Sequence, residues 1–443
     1  MLNPPLLSPQ LAKPLRASLA PLGRRAYSLQ AASLKVDNPY TGETFVEVGV
    51  DSAREAHQKV DAAAAAQRAW AHVPLAQRQA IATKWLDVLA SETEAIAHDI
   101  SGMMGKPLQQ ARGEVNGTIG RARTMIELST AALQTDIVPE ADGLFRQITH
   151  EPVGVVYVIA PWNYPLMTAV NSIIPAVLAG NSVVLKHSPR TPLCGDHYQR
   201  TFEKAGFPKD LLQASFDAGY VAPDADPIAA AEGLVDGACY NAGQSCCGIE
   251  RIFVHEKHYD QFLDKATELF NAYALGDPLD ASTSMGPMAL PSAPSALDAV
   301  VKDAVAKGAR ALTGQAGITS GPSGKGRFFT PTLVADCNSS MQIMVEEAFG
   351  PIVGVEKVSS DEEAVAKMNA SKYGLTAAVF TSDKDRAMRL GSQLSAGTVF
   401  MNRCDALDPY LPWTGLRDTG KGASLSKYGF RALTKLKSWN FRV

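Results

Sequence analysis

The sequence predicts an α/β protein that contains half of a nucleotide-binding sheet. Three observations carry this. Between Glu151 and Lys186 there is no charged residue, the apolar runs there are short and β-branched, and prolines and glycines punctuate them at helix-length intervals. The first run, 153–159, reads as a buried parallel strand, set at 155–160. A turn follows through Pro161-Trp162-Asn163-Tyr164-Pro165, then a helix to Leu178 closed by Gly180, then a second strand over 182–186. Proline at the first helical position starts a further helix at Pro192, which runs to Lys204 and stops at Gly206. The apolar run 211–216 is the third strand, completing βαβαβ. The stretch is not a membrane span, because Pro161, Pro165 and Pro175 interrupt it and Asn163, Asn171 and Asn181 dot it.

A second stretch, Gly243-Gln244-Ser245-Cys246-Cys247-Gly248, sits where a helix runs out and a strand, Arg251-Ile252-Phe253-Val254, begins. A thiol on such a turn is a nucleophile if helix ends or polar donors lower its pKa. Two small half-buried thiols serving only to pack a tight turn fit the same residues.

Composition sets the class. With 443 residues, 46% hydrophobic and 20% charged, the chain suits a globular protein of two or more domains. Its six cysteines (Cys194, Cys239, Cys246, Cys247, Cys337, Cys404) lack both the density of a disulfide scaffold and the pairing of a zinc site, so no metal is expected and a reducing compartment fits. Residues 1–36 hold Lys13, Arg16, Arg24, Arg25 and Lys35 and no acid, which reads as a mitochondrial transit peptide cut near Ser28 and places the protein in the matrix. Without that +5 the net charge of −3 becomes −8, which argues against nucleic acid as a partner.

Several separate blocks then agree in order. They are Asn38-Pro39-Tyr40-Thr41-Gly42-Glu43, Glu151-Pro152-Val153-Gly154, the Pro161–Pro165 turn, Lys186, Gly243-Gln244-x-Cys246, Glu346-Glu347-Ala348-Phe349-Gly350-Pro351 and Asn402. Together they resemble the NAD(P)-dependent aldehyde dehydrogenase superfamily, over essentially everything after the leader. The resemblance implies an aldehyde dehydrogenase-like α/β fold, with a Rossmann-type cofactor domain (37–222), an α/β catalytic domain (223–422), and oligomerisation strands from a hairpin at 136–151 and the segment 423–443. It implies oxidation of a small aldehyde to an acid in a homodimer or homotetramer, with no membrane partner.

It also implies roles. Cys246 attacks the aldehyde carbon, Asn163 with the cysteine's own backbone N–H stabilises the oxyanion, and Cys247 is a packing neighbour. Pro161 and Trp162 border the cofactor, Lys186 holds the adenosine ribose, and Glu347 and Phe349 meet the nicotinamide ribose and ring. Many NAD-preferring members carry Glu where this chain has Pro189. Lys186 and Ser188, with Arg190 as a further candidate, are therefore free to serve a 2′-phosphate, and NADP is expected to be accepted, alone or alongside NAD.

The chain departs from the family in one place. Cys246 follows Asn163 by 83 positions, and members of the family have on the order of fifty more, longer than a βαβ unit of roughly 30 residues. The missing part follows Phe216. It takes with it a turn and helix that face the cofactor pyrophosphate and the glutamate that serves as general base. Neither Glu232 nor Glu250 stands in the motif that would replace it. A skipped exon or a mispredicted gene model is the simplest account, and the loss should bare core surface and a strand edge. Two readings follow: an active oxidoreductase, or an impaired isoform that keeps the nucleophile and lacks the base.

Overall fold

The computed structural model describes residues 33–139, 143–208, 220–221, 224–313 and 317–443. The third strand expected at 211–216 and the Phe216–Asp217 junction lie outside the described residues, as does the leader up to residue 32. Residues 33–36 were expected to belong to that leader, but they are folded. Ser33–Asp37 pairs antiparallel with Thr44–Gly49 and buries Val36.

The two strands and two helices expected between residues 155 and 206 form. Val155–Ile159 pairs in parallel with Ser182–Lys186, and between them runs the helix Val170–Leu178. The helix begins later than the turn residues suggest, because the backbone N–H groups of Leu166 and Met167 bond a side chain, Glu114, at 2.9 and 3.3 Å. Gly180 and Gly206 end their helices with φ of 91° and 97°, a region glycine enters without cost. Four helices, Ala53–Trp70, Leu75–Ser91, Thr93–Met104 and Leu108–Ala132, pack over this unit around Trp85, Leu89, Ile96, Ile100 and Met125.

The deficit is visible on the first strand. Val158 points into the core, whereas Tyr157 and Ile159, on the opposite face, are 61% and 58% exposed. Among the described residues the first domain's parallel sheet has two strands, Val155–Ile159 and Ser182–Lys186. A parallel strand is normally covered on both faces, and this face is exposed among the described residues.

The expected catalytic domain holds the larger sheet. Its seven-stranded sheet runs in the order Thr398–Met401, Thr376–Phe380, Tyr220–Val221, Arg251–His255, Ile352–Val358, Thr332–Ala335, Arg310–Ala311, parallel except for the last strand. Tyr220–Val221 bonds in the middle of this sheet, ahead of the boundary expected at Pro223. The C-terminal strand Thr434–Arg442 adds to Leu144–Pro152, which also pairs with Asp136–Ile137. No helix among the described residues is long and apolar enough to cross a membrane.

Candidate active site

The thiol turn is built by backbone strain and close approach. Helix Pro227–Cys239 ends, and Asn241, Ala242 and Gly243 take left-handed φ values of 56°, 56° and 68° in succession. A side chain at Gly243 would place its Cβ 2.2 Å from the carbonyl oxygen of Gly350, so only glycine lets this turn press against the 346–351 segment. That segment is fixed in turn by Glu250, whose carboxylate accepts from the N–H groups of Ala348 at 2.9 Å and Phe349 at 3.0 Å. Glu250 is therefore committed to the backbone, and Glu232 lines a different cavity, with Leu269 and Tyr273.

Asn163 is joined to the same turn through a third residue. Asn241 Nδ2 donates to the carbonyl of Asn163 and to that of Gln244, both at 3.1 Å. Lys106 Nζ donates to the Asn163 carbonyl at 2.9 Å from within a fully buried ion pair with Glu114, and stands 4.0 Å over the Tyr164 ring. Glu114 meanwhile holds Leu166 and Met167. With its carbonyl taken twice, Asn163 presents a buried side-chain Nδ2 that has no partner among the described residues. An unpaired buried amide donor costs about 1–3 kcal/mol, and a pocket that develops negative charge recovers that cost.

A cavity of about 230 Å³ opens beside the turn, lined by Cys246, Cys247, Arg121, Asn171, Asp236, Asp405 and Trp413 among others. Cys247 is more than a packing neighbour. Its Sγ lies 2.6 Å from Asp405 Oδ1, and Ser245 Oγ donates to Oδ2 at 3.2 Å. Contact with the Cys246 thiol, burial and the Asp405 carboxylate all push the Cys247 thiol up. Burial pushes Asp405 itself up to about 6, against the lowering effect of its bonds from Cys247 and Ser245.

At the other end of the first domain, Lys186, Ser188 and Pro189 line a cavity of about 420 Å³ at the carboxyl end of strand Ser182–Lys186, the place where an open α/β sheet receives nucleotides. Asp51 in the same cavity is paired with Lys59. Arg190, expected to be available to a phosphate, is not: Asp37 takes it in an ion pair shared with Arg327. Trp162 and Phe349 meet edge to face with ring centroids 5.5 Å apart, and Pro161 and Glu347 lie beside them in sequence. His187 links the two regions. Its Nδ1 accepts from the Ser188 N–H, so Nε2 carries the proton and donates to the Pro165 carbonyl at 3.2 Å. Burial lowers its pKa to about 4, keeping the ring neutral.

The sequence model of the aldehyde dehydrogenase family matches residues 27–219 and 214–439, two pieces that overlap across the Phe216–Asp217 junction. The chain belongs to the aldehyde dehydrogenase family. Similar to this aldehyde dehydrogenase is the succinate-semialdehyde dehydrogenase [NADP(+)] of Deinococcus radiodurans, 31% identical over 90% of this chain and 93% of that protein. Another similar protein is the 3,6-anhydro-alpha-L-galactose dehydrogenase of Streptomyces coelicolor, 30% identical over 92% of each. The crystal structure of an aldehyde dehydrogenase from Brucella melitensis superposes with a TM-score of 0.88 at 27% identity, covering 93% of this chain and 94% of that one. The Deinococcus alignment runs over 448 positions while taking in 90% of a 443-residue chain, so part of that enzyme faces a gap here. The expected matrix location is corrected: the similar enzymes are mostly bacterial, from organisms without mitochondria, and they do not support it.

Sequence reasoning missed Lys106, Glu114, Asn241, Arg121 and Asp405. Lys106 carried a faint signal, a single charge between the apolar helix end Met103-Met104-Gly105 and Pro107. Asp405 carried none, since it is 158 residues from the thiol it touches.

Two outcomes are expected. Glu114→Ala strands the Lys106 charge in the core, and urea denaturation should record a loss of about 3–5 kcal/mol. His187 is harder to protonate folded than unfolded, so its contribution is intact above about pH 6.5 and is lost as the pH falls towards 4. Wild type should lose about 3 kcal/mol more than His187→Asn over that window by denaturant titration.

Proposed function

We propose that this aldehyde dehydrogenase oxidises an aldehyde to the acid with NAD(P)+ through a thiohemiacetal and then a thioester on Cys246. The observation that carries the reading is the buried Asn163 amide with no partner, tethered to the Cys246 turn by Asn241. Cys246 forms the C–S bond, and Asn163 Nδ2 donates to the oxygen that becomes negative. The bound nicotinamide supplies the hydride acceptor. Lys186 and Ser188 would hold its adenosine ribose end, and the absence of a carboxylate at Pro189 supports use of NADP beside NAD. Pro161, Trp162, Glu347 and Phe349 would border the nicotinamide end. These residues fit the two ends of such a cofactor. A second reading, an impaired isoform, is favoured by the uncovered face at Tyr157 and Ile159 and by the missing glutamate.

Reduced-cofactor formation with an aldehyde tests the first reading. Cys246→Ser should abolish it and Asn163→Ala should lower kcat by about 10²–10³. Strict use of NAD would overturn the cofactor assignment, and stoichiometric labelling of Cys246 without turnover would establish the impaired isoform.

The sheet made by Thr434–Arg442, Leu144–Pro152 and Asp136–Ile137 exposes Leu436, Ile137 and Phe441, which supports a homo-oligomer joined there. Light scattering should give a dimer or tetramer, and Leu436→Asp should lower the mass; a monomeric wild type would refute this.

A further inference from the structure

We propose that Asp405 is the general base of this chain, taking the proton of the water that hydrolyses the acyl group from Cys246. The inference rests on Cys246 being the nucleophile. Asp405 and Cys246 line the same cavity of about 230 Å³, which is large enough for an acyl group and a water. Its carboxylate reaches the thiol turn directly, at 2.6 Å from Cys247 and 3.2 Å from Ser245, and Cys247 contacts the Cys246 thiol.

Asp405 has a φ of 45°, a left-handed conformation sparsely used by residues other than glycine, asparagine and aspartate. Of the other carboxylates, Glu250 is bound to two backbone N–H groups, Glu232 lines another cavity, and Asp236 lines the same cavity but is exposed to solvent. The groups facing Asp405 are Ser245, Cys246 and Cys247 on the turn, Arg121 on the long helix, Asp236 and Tyr240 near the end of the preceding helix, and Tyr164. Burial raises its pKa, the bonds from Cys247 and Ser245 oppose that, and Asp236 and Arg121 add smaller effects of opposite sign, which together leave it raised to about 6.

The step balances without a further reactant. The water oxygen bonds to the acyl carbon, its proton passes to Asp405, the C–S bond breaks, and the Cys246 thiolate leaves as the carboxylic acid is released. Asp405 then returns its proton to solvent.

The test uses the full chain and p-nitrophenyl acetate, which needs no cofactor. Acylation transfers acetyl to Cys246 and releases p-nitrophenolate as a burst; intact-protein mass spectrometry then follows loss of the acetyl group. Asp405→Asn should keep the burst, deacylate about 10²-fold more slowly, and lose the limb through which the wild-type rate rises with pH around 6. Asp405→Glu should restore part of the rate. Deacylation of Asp405→Asn at the wild-type rate would overturn the proposal alone, and so would a wild-type rate that is flat from pH 5 to 7, a measurement that stands even if the variant does not fold. Failure of the wild type to acylate at Cys246 would instead overturn the nucleophile assignment, and this proposal with it.

Discussion

The buried ion pair between Lys106 and Glu114 is the constraint on which the site depends. Both side chains are fully out of water, and a buried pair is costly unless its remaining hydrogen-bonding capacity is used. Here it is used on one segment. Lys106 takes the Asn163 carbonyl and the Tyr164 ring face, and Glu114 takes the next two free N–H groups at Leu166 and Met167. The turn that carries Asn163 is thus gripped from both sides by the two members of one buried ion pair, and its side-chain Nδ2 has no partner among the described residues.

The thiol turn is positioned by a different means, backbone geometry. Three left-handed residues and one glycine contact bring the cysteines against the 346–351 segment, and Asn241 then ties that turn to Asn163. The residues that make these contacts lie away from the Phe216–Asp217 junction along the chain. The Cys246 turn and the Asn163 turn are thereby tied together although Tyr157 and Ile159 leave a strand face exposed.

Much of the fold was legible because its signals are local. Short β-branched runs, Gly180, Gly206 and Pro192 report strand and helix limits through backbone chemistry that needs no neighbours. The start of helix Val170–Leu178 was misjudged because Glu114, about fifty residues earlier in the chain, competes for the N–H groups of Leu166 and Met167. Arg190 was misread for a similar reason. Its sequence neighbours suggest a phosphate, but Asp37 captures it from far along the chain.

The sequence by itself determined the class of protein and pointed to the Cys246 thiol as a candidate, since the Gly-Gln-x-Cys turn and the Trp-Asn-x-Pro turn are written in consecutive residues. Only the tertiary structure decided what surrounds that thiol: Asn241 as the tie, Lys106 and Glu114 as the clamp, and Asp405 at the second sulfur. The physical reason is that a hydrogen bond to a buried group depends on which donor and acceptor are brought within about 3 Å once water is excluded, and spacing along the chain does not record that distance.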